Sequence, residues 1–194
     1  NGRHHKARHL KIGLLRRTGQ VDEARLESTR SLMADPMEYG TLWERFLLDG
    51  DFAFGKIVRK KLTTYVELAL DYAHAGLFDE SIKLLEQVHS DPMAAYTLGW
   101  VLSQSGQDQA AAEIFRHASS LPSDYCFPNR LEDVIILTAA LHANPQDARA
   151  PYYLGNFWYA HRRYDEAITC WESAQELDSN FPTVHRNLGL AYFN

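Results

Sequence analysis

The sequence predicts an all-α fold, a solenoid of about twelve helices packed as antiparallel pairs. Three observations carry that reading. The chain echoes itself at 34 residues: Leu154-Gly155 recurs as Leu188-Gly189 and Trp158 as Tyr192, and an earlier copy reads Leu98-Gly99 with Leu102. Self-similarity at a fixed period of about 20–50 residues marks stacked units that bury their apolar faces only against their neighbours. Apolar residues recur at three and four positions, as in Leu62, Tyr65, Val66, Leu68, Ala69 and Tyr72, and again in Ile82, Leu85 and Val88, which is the helical period. Helix punctuation is regular. Asp35-Pro36 and Asp91-Pro92 each set a capping acceptor before a proline suited to the first helical turn, Asp147 caps the helix carrying Pro151, and Gly19, Gly76 and Gly106 sit where helices should end.

Taken in order, residues 1–61 read as degenerate helical repeats with a basic N-terminal part. Residues 6–36 have a good second half (Gly19, Asp22-Glu23-Ala24, Asp35-Pro36), but Arg8 and Lys11 stand where apolar residues should be. Residues 37–61 give one amphipathic helix (Leu42, Trp43, Phe46, Leu47), a turn at Asp49-Gly50-Asp51 and a short segment containing Phe and Lys. Residues 62–194 read as the main array. Units fall at 62–91, 92–122 and 148–181, with an extra helix at about 129–143 and a truncated last unit at 182–194, all in one continuous solenoid. In the best unit, Gly155, Ala167 and Ala174 let two helices approach while Leu154, Trp158 and Trp171 fill the space around them.

These residues resemble the tetratricopeptide repeat (TPR) family. Residues 148–181 match its Leu-Gly pair, aromatic, Ala, aromatic and Ala, with Ser179 in place of the final Pro. Residues 92–122 match with Leu98, Gly99, Leu102, Gly106, Ala111, Phe115, Ala118 and Pro122. Residues 62–91 match with Leu68, Ala69, Tyr72, Gly76, Phe78 and Ile82, but Ser81 and Val88 replace small alanines. The resemblance covers about three quarters of the chain. It implies a right-handed superhelical twist and an inner groove lined by first-helix positions off the packing stripe. Here those positions hold Tyr96, Trp100, Ser103, Gln104, Arg149, Tyr152, Asn156, Tyr159, Arg186 and Asn187. Tyrosine and tryptophan there combine buried area with a polar handle, which suits recognition; alternatively, several of them pack against the neighbouring unit or the extra helix. A TPR subclass grips carboxylates through a Lys, two Asn and further basic residues. Asn156 and Asn187 occupy the Asn positions, but Tyr152 stands where the Lys should be, so that clamp is incomplete. Residues 125–193, with Tyr125-Cys126-Phe127-Pro128 and Phe181-Pro182, look more closely like the TPR region of large, poorly characterised bacterial multidomain proteins carrying an N-terminal β-rich domain.

The composition contains little chemistry. No nucleophile elbow, phosphate-binding glycine loop or zinc-hydrolase motif occurs. Asp49-Gly50-Asp51 lacks the oxygen-ligand spacing of a calcium loop. His5 and His9 share a helical spacing with His4 beside them, but no acidic or thiol ligand lies near in sequence. Cys126 and Cys170 form no CxxC and read as reduced packing thiols. The expectation is therefore no enzyme, no cofactor and no metal.

The net charge of −5 is uneven. Residues 1–31 hold eight Lys/Arg against Asp22, Glu23 and Glu27, a balance of +5, which leaves −10 for the rest. An acidic body argues against nucleic-acid binding. The basic end reads as a solvated helix face or as a dock for an acidic partner or an upstream domain. No apolar run approaches the ~18 residues of a membrane span and no signal peptide is visible, so a cytoplasmic location is expected. The chain does not begin with Met and stops within a helical pattern, and it reads as a piece of a longer protein. The expected function is a scaffold that binds a protein or peptide in the concave groove. The alternative is a structural or oligomerisation arm of a larger, carbohydrate-related bacterial protein.

Overall fold

The structure, a computed structural model, describes residues 5–58 and 61–193, without the His5 side chain; Arg3, His4 and Asn194 also lie outside the described residues. Among the described residues there are twelve α-helices and no strand: α1 (His5–Arg17), α2 (Val21–Ala34), α3 (Tyr39–Asp49), α4 (Ala53–Val58), α5 (Leu62–His74), α6 (Phe78–Leu85), α7 (Pro92–Gln104), α8 (Asp108–Ser120), α9 (Leu131–Ala143), α10 (Arg149–Ala160), α11 (Tyr164–Leu177) and α12 (Pro182–Phe193). Helices joined by turns this short pack as antiparallel pairs, so the fold class is the all-α array of helix pairs expected from the sequence. The chain forms two compact units, Asn1–Leu84 and Leu85–Asn194.

In the first unit, α1 packs on α2 and α3, and α3 packs on α2 and α4. Trp43 on α3, Phe54 on α4 and Tyr65 and Tyr72 on α5 are almost completely buried. The face that α1 turns inward is formed by His9, Ile12, Gly13 and Arg16, at helical spacing, which explains why Arg8 and Lys11 disturbed the expected stripe. Arg16 reaches a charged core. Its Nε donates to Glu44 at 2.8 Å and its Nη2 to Glu80 at 2.8 Å, and the Tyr72 hydroxyl donates to the other Glu44 oxygen at 2.7 Å. Glu44 has no exposed area, so its charge depends on these two donors. Further ion pairs join Lys6 with Asp71, Lys11 with Glu27, Arg17 with Glu80, Arg25 with Asp49 and Arg30 with Glu27. Acids from α2, α3, α5 and α6 thus pair with six basic residues of this end, most of which remain solvated, Lys6 at 77% and Arg30 at 64% exposure.

One punctuation signal takes a different role. Asp35 ends α2 as its C-cap and accepts the Met37 N–H, so Asp35-Pro36 form a turn. Helix α3 begins later, behind Glu38, whose side chain caps Thr41. Proline favours either a turn or a first helical position, and the Asp35 side chain, engaged with Met37, decides for the turn. Gly19, Gly50, Gly76 and Gly106 all adopt positive φ between helices; at the matching turn between α10 and α11 a non-glycine residue, Arg162, takes φ 61°.

In the second unit α7 packs on α8, α10 on α11 and α11 on α12, while α9 contacts α7 and α10. The Leu-Gly signature has a direct physical cause. A methyl group on Gly99 would meet the Phe115 ring at 2.7 Å, and one on Gly155 would meet Trp171 at 2.4 Å. Ala111, Ala118, Ala167 and Ala174 are buried around those rings. At Gly189, the third copy, nothing lies within 4 Å. Asp91 caps α7 by accepting from Ala94 N at 3.1 Å, with Pro92 opening the helix. Asp147 caps α10 by accepting from the backbone N–H groups of Arg149 and Ala150.

Candidate functional site

Helix α10 aligns Tyr152, Asn156 and Tyr159 on one face, spaced i, i+4, i+7. Helix α12 brings Arg186, Asn187 and Leu190 opposite, Trp171 of α11 lies between them, and Phe127 closes the side from the loop before α9. Together with Ala160 these residues line a cleft of about 230 Å³. Its walls are aromatic and aliphatic. Tyr152 keeps only 6% of its area but shows an edge to the cleft, whereas Phe127 is 71% exposed and Leu190 56%.

The polar groups of the cleft are locked in one sense. The indole Nε1 of Trp171 donates to Asn156 Oδ1 at 3.2 Å and to the Tyr152 carbonyl at 3.3 Å. Asn187 Nδ2 donates to the same Asn156 oxygen at 3.1 Å, and Arg186 Nη2 donates to Asn187 Oδ1 at 3.1 Å. An indole N–H is only ever a donor, so the Asn156 atom facing it must be the oxygen; both amide orientations then follow.

Five of the residues expected in the groove therefore meet in this cleft: Tyr152, Asn156, Tyr159, Arg186 and Asn187. The others do not. Tyr96 has no exposed area; its hydroxyl donates to the buried Asp147 Oδ2 at 2.7 Å and its ring packs against Tyr153. Its expected groove role is corrected to a packing one, because the position that should face solvent on α7 is covered. Burial and the neighbouring Asp147 charge hold the Tyr96 phenol well above its ordinary range, so it stays neutral. Trp100 is half-buried and Gln104 exposed on α7, and neither lines the cleft. Arg149 lies over the Phe181 ring at 3.9 Å, and Phe181 in turn packs on Tyr152 at 4.7 Å, so Arg149 supports the cleft wall from behind.

The sequence reading missed Phe127, Trp171 and Leu190 as cleft residues. Trp171 was read as packing alone, yet its indole N–H also aims the Asn156 amide. Phe127 could have been suspected from Tyr125-Cys126-Phe127-Pro128. There Tyr125 takes φ 57° and is 94% exposed, Cys126 turns inward and Phe127 turns out again.

Other candidate chemistry is inert or incomplete. Burial pushes the Cys126 thiol up to about 12 and raises Cys170 as well, so neither is an activated nucleophile. His9 is buried with Nδ1 3.6 Å from Glu38, while His4 and the His5 side chain lie outside the described residues. Among the described residues no group of three His, Cys, Asp or Glu is placed to hold a metal ion, and no helix is long and apolar enough to cross a membrane.

Comparison with known proteins agrees with the repeat reading at the C-terminal end. Residues 159–194 match the family described as "TPR repeat"; that stretch supplies Tyr159, Trp171, Arg186, Asn187 and Leu190 of the cleft. No curated protein matches the chain. Among solved structures, the chain is similar to MamA at 21% identity, TM-score 0.34, covering 93% of this chain and 82% of that one. It is similar to MamA 41-end from Desulfovibrio magneticus RS-1 at 22% identity, TM-score 0.31, covering 68% and 84%. A third likeness is to the APC/C hetero-tetramer Cut9-Hcn1 at 15% identity and TM-score 0.30, covering 97% of this chain and 43% of that one.

Proposed function

We propose that this chain is a non-catalytic interaction scaffold that holds a short segment of a partner protein in the cleft between α10 and α12. The observation that carries this reading is the cleft itself: apolar walls around a set of oriented polar groups, on rigid helices, with no carboxylate, imidazole or thiol among its lining residues. TPR-type repeats supply such surfaces for protein partners. The two thiols, neither of them in a disulfide, suit a reducing compartment, and a cytoplasmic setting belongs to the same proposal.

Selection of a random 12-residue peptide library on the immobilised chain tests the reading, with a Leu190→Arg variant as the counter-target. Leu190 is exposed, so the variant keeps the fold and obstructs the cleft. Peptides that bind the parent and not the variant are expected. Failure to enrich any variant-sensitive peptide would remove the cleft from the function and favour a purely structural arm.

A further inference from the structure

We infer that the cleft selects a peptide segment in which one large apolar side chain lies next to a single carboxylate; this rests on the peptide-binding reading above. The polar relay runs in one direction. Arg186 donates to Asn187, Asn187 donates to Asn156, and Trp171 donates to the same Asn156 oxygen. Both lone pairs of that oxygen are engaged, so Asn156 has only its amide N–H groups to offer a ligand, and Arg186 has only guanidinium N–H groups. Arg186 and the Asn156 amide N–H groups are thus donors only, and beside the tyrosine hydroxyls they ask the ligand for acceptors.

Size and charge narrow the ligand further. A volume of about 230 Å³ falls below the ~300–1,000 Å³ of typical small-molecule sites and suits one large side chain against Phe127, Tyr159 and Leu190. Residues 85–194 contain thirteen Asp/Glu against six Lys/Arg, yet Arg186 is the one charged residue lining the cleft. A single lining cation on a unit with that acidic excess accepts one carboxylate, and the net charge of the unit opposes a run of them. A phosphoryl group, at about −1.5 to −2, meets the same repulsion more strongly. Asn187 acts here as a positioning residue, because it holds both Arg186 and the Asn156 amide.

The test uses fluorescein-labelled nonapeptides, blocked at both ends and titrated by anisotropy against the whole chain. Their centres read Phe-Glu, Phe-Gln, Ala-Glu and Phe-Glu-Glu-Glu in a Ser/Ala background. The Phe-Glu peptide is expected to bind about three- to fivefold tighter than Phe-Gln, the range of an exposed ion pair. Ala-Glu should be weaker still, and the triple-Glu peptide no tighter than Phe-Glu. Arg186→Gln should abolish the Glu/Gln preference, the ratio of the two affinities falling from about three- to fivefold to about one. Equal binding of Phe-Glu and Phe-Gln, or tighter binding with each added Glu, overturns the inference. If the library yields variant-sensitive binders without this pattern, the inference falls and the peptide-binding reading stands; if the library yields none, both fall.

Discussion

Three glycines at the same repeat position make a test with its own control. Alanine is the better helix former by about 0.8–1 kcal/mol, so Gly→Ala should stabilise any helix in which the methyl group has room. At Gly189 it has room, since nothing lies within 4 Å. At Gly155 the new carbon would sit 2.4 Å from two Trp171 ring atoms, and at Gly99 2.7 Å from the Phe115 ring. Relieving such overlap costs about 1–3 kcal/mol in a packed core. At Gly155 the shift also strains the Trp171 indole's hydrogen bonds to Tyr152 and Asn156, each worth about 1 kcal/mol. The net expectation is a loss of about 2–3 kcal/mol for Gly155→Ala, a loss of about 1–2 for Gly99→Ala and a gain of up to about 1 for Gly189→Ala. Urea unfolding followed by circular dichroism and tryptophan fluorescence measures all three, and at about 2–4 °C per kcal/mol the melting temperatures should separate clearly. If Gly155→Ala proves as stable as the parent, or Gly189→Ala is destabilised like Gly155→Ala, the close helix approach argued from these contacts is wrong.

Two further predictions concern the charged core. Glu44→Ala removes a fully buried carboxylate that accepts from Arg16 and Tyr72, and should destabilise the first unit by about 3–5 kcal/mol, read as faster amide exchange in α1, α3 and α5. Acid should act on the same unit. Burial pushes Glu80 and Glu38 up, but Arg16 and Arg17 around Glu80, and His9 and Thr41 around Glu38, hold both below the ordinary value of 4.5. Their stabilisation is therefore complete above 4.5 and is lost as pH falls through the lower folded values. Asp147 and Asp91 are raised by burial, so their charged forms oppose folding and protonation relieves them. On acidification the first unit should weaken below pH 4.5 while these two carboxylates tend to stabilise the second, which exchange measured unit by unit would show; equal weakening of both units would contradict the assignment.

What could be read in the sequence was local. Helical period, the Asp91-Pro92 cap and the Leu-Gly register depend on residues within one or two turns, or on a repeat that advertises itself. The charged core was not legible, because Arg16 meets Glu44 and Glu80 from 28 and 64 positions away, and nothing in the spacing of any one helix joins them. The same limit governs the site. Tyr152, Asn156 and Tyr159 share a face by helical arithmetic, and the repeat added Arg186 and Asn187. Tyr96 lies on an equivalent helix face, but what covers it is Asp147 and Tyr153, brought by segments 51 and 57 residues later. Asp35-Pro36 failed for a chemical reason: the same dipeptide serves a helix start or a turn, and the choice rests on which N–H the aspartate finds.

On the proposed peptide-binding reading, helix α9 has a consequence for how much of a partner could be read. It contacts both α7 and α10, and it interrupts the 34-residue rhythm between the units they begin. Trp100 and Gln104 of α7 do not line the cleft that Tyr152 and Asn156 of α10 line. A ligand in the cleft would then meet one short stretch of chain, with a footprint of a few residues. Such a contact would turn over quickly and discriminate coarsely when acting alone. Selectivity in a working assembly would then come from counting contacts, with several weak sites engaged together on linked partners, and from tight coupling between the geometry of the assembly and its lifetime.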